Sequence, residues 1–437
     1  MSRRHVSLLF GFCFAFSFFL LMAGCSEDKI KLNGKREHLL VSEASVANAD
    51  DLDSIPVAVS SLLLANSNYP QPHFNASHCY DPLKFSMKLG RLWSSDLDYG
   101  SCVSIKATAA PVVAGGMVFC LDAGGLLYAL DKTTGKRIWT MSTTIREKDG
   151  QIGGAIAHDQ GKLIVTSSFA ECFCLDAGTG KILWRLKLPA PSKGDGITVH
   201  RGKAFILCQN CSLQAVDINS GKISWAHSGV LVDSTFIGSA SVAISDDIVF
   251  VAYPFGEIFA LAVDSGNVIW NTTFPKYFAA NAARAFMHPR ACPVVCDGIV
   301  YFASNGQTVA HETKTGYLLW SCNYGGIHTP ILSGNSMFLL NANGELLCLN
   351  NKTGKLRWSR KLILDDSGKV SDWYGQLLIK DNIFVISQEG NVFFVSVHDG
   401  KIKKTAKITD EGIAANPVIS DAIMYLLLDC GTIVAYR

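Results

Sequence analysis

Several familiar signatures are missing from this chain of 437 residues. It has no P-loop, no GxGxxG fingerprint following a strand and no HExxH pair, so nucleotide cradling and zincin-type chemistry have no motif to rest on. Charge is scarce as well. Only 17% of residues are charged and the net charge is +2, which leaves neither the basic footprint of a nucleic-acid binder nor a funnel for acidic substrates. Fourteen cysteines are present, yet no two are adjacent. The cysteine pairs with close spacing, Cys172/Cys174, Cys208/Cys211 and Cys292/Cys296, fall in different repeats rather than in the paired knuckles that zinc prefers. No catalytic, cofactor-binding or metal-ligating residue is assigned.

What the chain does have is one sentence written many times. Residues 125–139 read GLLYALDKTTGKRIW: an apolar strand, an Asp/Thr/Gly turn, and a second strand ending in tryptophan. The pattern returns at 170–184, 211–225, 256–270, 306–320 and 344–358. A seventh copy, 390–404, keeps the turn but ends in Lys404, and the chain stops at Arg437 in the front half of an eighth. Self-similarity at a period of about 40–45 residues marks a propeller or solenoid. Asp131, Asp176 and Asp217 can bond their own backbone in the turn, and the glycine that follows supplies positive φ. Alternating apolar positions such as Leu127, Ala129 and Ile138 read as strands with one buried face. A hairpin alone is marginal, so each repeat needs neighbours. Trp139, Trp184, Trp225, Trp270, Trp320 and Trp358 then read as structural wedges against the adjacent blade.

Closure fixes the count. The eighth repeat lacks its outer strand, and residues 88–94 (KLGRLWS) resemble the missing half, with Trp93 in the tryptophan position. The fold class is therefore an all-β, eight-bladed β-propeller whose N-terminal strand closes the last blade and removes free edges.

The N-terminus is a targeting segment: Arg3, Arg4 and His5, an apolar run over 6–21, then Leu-Met-Ala-Gly-Cys25-Ser26. That junction resembles a bacterial lipoprotein signal, which implies cleavage after residue 24 and lipidation of Cys25. The expected organisation is a signal peptide over 1–24, a lipidated N-terminus and flexible tether over 25–82, and the propeller over 83–437. Acyl chains would hold the domain to a bilayer surface without spanning it. Beyond Cys13 in the signal and Cys25 at the lipidation point, twelve cysteines remain. Small buried side chains account for most of them, since Cys174 and Cys348 take the repeat position of Ala129, Ala215 and Ala260. A local disulfide at Cys208/Cys211 or Cys292/Cys296 stays open.

The repeat A-x-D-x-x-T/S-G-x-x-x-W resembles the pyrroloquinoline-quinone-type (PQQ-like) propellers, which have two branches. Quinoprotein dehydrogenases hold the quinone in the central channel with calcium and a catalytic Asp, and many carry a disulfide between adjacent cysteines. The second branch is the outer-membrane protein assembly factor B (BamB) family. Residues 66–78 (NSNYPQPHFNASH) resemble that family's N-W-P-x-x-G-G-N-x-x-H segment, with Tyr69 in place of Trp and the glycines blurred. Residues 227–230, 238–241, 253–261, 325–330 and 429–436 resemble its middle blades and its ending. The resemblance implies a non-enzymatic lipoprotein on the periplasmic face of the outer membrane, without a cofactor. It would bind the periplasmic domains of the barrel-inserting protein BamA beside other assembly-complex lipoproteins, with unfolded outer-membrane proteins as a further class of partner and no nucleic acid. Carried over by position, the contact loops are 227–238 and 287–293. This chain offers Val230, Leu231, Val232 and Asp233 in the first, and His288 and Arg290 in the second. Some members instead have a Leu/Arg cluster and an acidic pair there. The alternatives are a PQQ-dependent periplasmic oxidoreductase and a ligand-binding periplasmic propeller.

Overall fold

The computed structural model describes residues 53–100, 109–143, 154–230, 241–275, 291–304, 306–363 and 372–437. Among them, thirty-two strands form eight four-stranded antiparallel sheets. Blades 1 to 7 span 112–142, 155–187, 192–228, 243–273, 294–322, 331–361 and 373–407, each built from consecutive strands. Blade 8 is composite. Strands Val418–Ser420, Ile423–Leu427 and Thr432–Tyr436 are completed by Arg91–Asp96 as the outermost strand. Trp93 lies opposite Ala435 there, just as Trp139 lies opposite Ala129 in blade 1. First strands of adjacent blades touch one another, which places them around the axis of a ring.

The turn chemistry explains the repeat. In blade 1, Asp131 Oδ1 accepts the Thr134 N–H at 2.7 Å and its hydroxyl at 2.8 Å, while the Gly135 N–H donates to the Asp131 carbonyl at 2.9 Å. Those hydrogen bonds hold the Asp131 carboxyl below its ordinary range. Gly135 has φ of 70°, and a Cβ on it would sit 2.5 Å from the Trp93 ring. The absent side chain is therefore what lets the tryptophan of one blade lie flat on the turn of the next. The Trp93 Nε1–H donates to the Lys132 carbonyl in that same turn, at 3.1 Å. Six further tryptophans repeat both contacts around the ring, ending with Trp358 on Gly400 and bonded to the Val397 carbonyl at 2.9 Å.

The interface between blades 7 and 8 departs from this rule. Lys404 occupies the tryptophan register, opposite Phe394, and its amine donates to the Met87 carbonyl. No continuous turn exists for a ring to cover. Where other blades have their turn, Gly90 and Arg437 exchange backbone hydrogen bonds at 2.8 and 2.7 Å. A polar arm replaces the aromatic plate at the one place where the sheet joins two distant parts of the chain.

Burial differs from the one-faced pattern expected from alternation. Middle strands are sandwiched between neighbouring blades, so Leu127, Tyr128, Ala129 and Leu130 are all fully buried on both faces. Outer strands alternate instead with much of their surface open, and Ile138 is 49% exposed. Apolar side chains at both successive positions of a strand thus mean two covered faces here.

The largest difference lies in the stretch expected as a tether. From residue 53 it is docked, and it visits the first strand of every blade. Tyr69 pairs with Val113 of blade 1 through both backbone hydrogen bonds, 2.7 and 2.9 Å. The His158 N–H of blade 2 donates to the Pro70 carbonyl, and the Val199 N–H of blade 3 to Gln71 Oε1, both at 2.7 Å. Ile244 of blade 4 and Val295 of blade 5 donate to the Ala76 and Ser77 carbonyls. Ser60 bonds Ser333 of blade 6, Leu83 bonds Leu378 of blade 7, and Asn66 bonds Ile419 of blade 8. We call this segment the hub. Its leading end is fastened by a nearly dry ion pair, Asp53 with Arg357 at 3.3 Å, whose side chains are 8% and 3% exposed. Val57 and Val59 pack on the core of blades 6 and 7. A segment without periodicity can dock this way because its backbone groups pair with strand ends one at a time, which leaves no pattern in the side chains.

Candidate functional site

Two places bring chemistry-bearing residues together. The first is the mouth of the central channel. Tyr69, His73 and His78 of the hub line one cavity with Asp195 and Gln376, within the first strands of blades 3 and 7, and with Asn416, just before the first strand of blade 8. Only the axis of the ring can collect residues from such distant blades. His73 Nε2 lies 3.2 Å from Cys292 Sγ, and that sulfur also accepts the Ser241 N–H at 3.1 Å. Burial would push the thiol up, but the charge and hydrogen bond of His73 outweigh it and lower Cys292 to about 7. For His73, burial works against protonation, and the facing Cys292 more than reverses this, so the ring is held above its ordinary value. His78, buried next to His73, drops to about 3 and stays neutral, with Nδ1 2.7 Å from the Pro293 carbonyl.

A cysteine–histidine pair is also the core of a nucleophilic centre. Here Cys292 is fully buried and its sulfur is engaged by His73 and by Ser241, so the geometry describes a hydrogen-bonded clasp between hub and ring rather than a reactive thiol. Nor do the described residues contain a cluster of three His, Cys, Asp or Glu side chains able to hold a metal.

The second place is the root of the loop after blade 3. His227 ends the outer strand of that blade, stacks on Tyr253 and meets Phe259 edge-on, with its Nδ1 2.9 Å from the Tyr253 hydroxyl. Burial lowers its pKa. A Cβ on Gly229 would lie 2.5 Å from the Tyr253 ring, so the chain is pressed against blade 4 as it leaves. The Val230 N–H then donates to Glu257 Oε2 at 3.0 Å, and its side chain is 53% exposed. Leu231, Val232, Asp233, His288 and Arg290 lie outside the described residues, as does Cys25. The structure therefore brings Val230 to a braced, outward-facing root.

Sequence reasoning did not find the His73–Cys292 clasp. The resemblance of 66–78 to a family segment was the available signal, because it marked as specific a stretch that composition alone read as linker.

The two local disulfides left open by cysteine spacing are not supported. Cys208 faces the core between blades 2 and 3, whereas Cys211 faces the core between blades 3 and 4. Cys292 faces His73, while Cys296 meets Cys79.

A ring of eight four-stranded blades with a tryptophan–glycine lock at seven interfaces is a PQQ-like β-propeller. Comparison with known proteins narrows this. The profile described as outer membrane protein assembly factor BamB matches residues 90–150, 123–360 and 340–437. The chain belongs to the outer membrane protein assembly factor BamB family. The Yersinia pestis member is 24% identical over 356 residues, 79% of this chain and 88% of that protein. The crystal structure of BamB from Moraxella catarrhalis superposes with a TM-score of 0.69 at 19% identity, covering 80% of this chain and 99% of that one. The quinohemoprotein alcohol dehydrogenase of Comamonas testosteroni shares the fold at a TM-score of 0.63 and 15% identity, covering 85% and 81%. Family membership makes the chain an assembly factor and not an enzyme.

Proposed function

We propose that this chain is a lipid-anchored scaffold of outer-membrane β-barrel assembly, holding the barrel-inserting protein BamA by the loop that follows blade 3. The single observation that carries the reading is the braced root at 227–230. An apolar residue, Val230, is presented outward by a His227/Tyr253/Phe259 cluster and a backbone bond to Glu257. Val230 opens the apolar run Val230-Leu231-Val232, and contiguous exposed apolar residues on a loop are a feature of partner surfaces. Leu231, Val232 and Asp233 continue that loop, and His288 with Arg290 belong to the second contact loop. Cys25 would carry the acyl chains after removal of residues 1–24, placing the propeller on the periplasmic face of the outer membrane. Exposed apolar residues on outer strands, such as Leu183, Ile269 and Leu319, are consistent with strand addition by unfolded outer-membrane proteins.

A quinone-dependent oxidoreductase is the rival, on fold likeness. The donor set at the channel mouth does not fit it. The hub's rings stand there, and among the described lining residues Asp195 is the one carboxylate, already accepting the Ala110 N–H at 2.9 Å.

The test is a detergent pull-down of the tagged chain from its own membranes, read by mass spectrometry, with Val230→Asp and Leu231→Asp alongside. Recovery of BamA by the parent and its loss by the variants supports both role and loop. Recovery by all three keeps the role and removes the loop. No recovery ends the scaffold reading, and quinone titration follows.

A further inference from the structure

We propose that Cys79 of the hub and Cys296 of blade 5 form a disulfide that fastens hub to ring when the protein meets a dithiol–disulfide oxidant. Neither lies near the other in sequence, and the alignment that brings them together is made by the backbone. The Val295 N–H donates to the Ser77 carbonyl at 2.9 Å, and His78 Nδ1 sits 2.7 Å from the Pro293 carbonyl. These two anchors fix the chain one or two residues from each sulfur on the hub side and within three on the blade side. The two thiols are then close enough to hydrogen-bond to each other.

Access and ionisation separate this pair from the other close cysteines. Cys172, Cys174 and Cys208 share one core, are fully buried, and have thiols that burial pushes up, to about 11 for Cys174 and Cys208. An oxidant cannot reach them without opening the blade. Cys79 and Cys296 are half-buried instead. Their shared hydrogen bond raises Cys79, the donor, and lowers Cys296, the acceptor. Burial and the carboxylates of Asp297 and Asp81 act against ionisation at both.

The chemistry balances with the oxidant included. One of the two thiolates, written here as Cys296, attacks one sulfur of the oxidant's disulfide and expels its partner thiolate. The Cys79 thiol loses its proton and attacks the Cys296 sulfur of the mixed disulfide, expelling the second oxidant thiolate. Two S–H bonds are lost and one S–S bond forms, and the two electrons and two protons leave with the reduced oxidant. The pair itself is independent of the scaffold role; only its oxidation in the cell rests on export, since disulfides persist in oxidising compartments.

The full chain, purified reduced in detergent, is incubated in a glutathione buffer of oxidising ratio, trapped with N-ethylmaleimide and digested without reductant. The expected product is one peptide pair joined through Cys79 and Cys296, lighter by two hydrogens than the separate peptides and split by reductant. Cys430, exposed, serves as the labelling control. In Cys79→Ser, with circular dichroism unchanged from the reduced parent, Cys296 is recovered carrying glutathione or the maleimide, and no other cysteine pair replaces it. Full labelling of both cysteines in the oxidised parent overturns the proposal, as does linkage of either to a third cysteine. A second arm traps thiols in intact cells before lysis. Linkage there supports the pair in its own compartment. Linkage in the buffer with labelling in cells supports the pair and counts against export.

Discussion

Two regions hold the ring, and they work by opposite means. The outer belt is one device copied seven times: a tryptophan plate, a glycine without a side chain beneath it, and one N–H bond into the turn. The hub copies nothing. It meets the eight first strands through a mixture of single backbone hydrogen bonds, paired ones and side-chain bonds, plus the Asp53–Arg357 pair and the His73–Cys292 clasp. Each belt contact joins two adjacent blades, so the belt alone would leave the array quasi-one-dimensional. The hub joins all blades to one segment, which couples repeats that never touch. The lesson is that repetition supplies the modules and a non-repeated strap supplies the circle.

Three substitutions probe that division. In the belt, Trp225→Ala removes a ring that covers Gly266 and donates to the Val263 carbonyl. It should cost about 3–5 kcal/mol in denaturant unfolding; a loss under ~1 kcal/mol would show that the plates are ornamental to stability. In the hub, Asp53→Asn leaves the Arg357 guanidinium buried without its charge partner and should cost about 3 kcal/mol. This substitution has a pH signature too. Burial pushes the Asp53 carboxyl up, but bonds from the Ile55 N–H, Asn350 and Arg357 prevail and hold it below its ordinary value. Its contribution is therefore present above the unfolded-state value of about 3.9 and is lost as pH falls through the lower folded value. The parent should lose stability across that acid limb more steeply than Asp53→Asn. Parallel curves would detach the hub's leading end from the energetics. At the seam, Lys404→Met removes the amine bond to the Met87 carbonyl and should cost about 1 kcal/mol or less. Lys404→Trp should bring no gain, because no turn glycine lies beneath it; a clear rise in melting temperature would mean that the belt's device works without its turn.

How much of this was legible follows from the same contrast. The turn Asp131, the glycine Gly135 and the plate Trp139 recur at fixed spacing, so blade number, strand order and the borrowed strand at Trp93 could be read from the sequence. The strap at 53–82 could not, because backbone carbonyls such as those of Pro70, Ala76 and Ser77 carry no residue signature when they accept a hydrogen bond. Val230 was found through family position, and the structure adds what spacing lacked: the His227–Tyr253 stack and the Glu257 bond that brace it. The Cys79–Cys296 contact was invisible because cysteine spacing favours neighbours in sequence, and these two meet only after the strap has crossed most of the ring.

The composite eighth blade carries a consequence for manufacture. Arg91–Asp96 is among the first parts of the propeller to be synthesised, and its partner Thr432–Tyr436 is the last. Asn66 likewise waits for Ile419. A nascent chain of intermediate length has both closing pieces unmatched: the strand Arg91–Asp96 has no partner edge, and Asn66 has no Ile419 carbonyl to bond. Ring closure is thus an event of the finished chain. A polypeptide threaded N-terminus first across a membrane would complete its circle only once the final strand had arrived on the far side, so transport cannot be overtaken by folding.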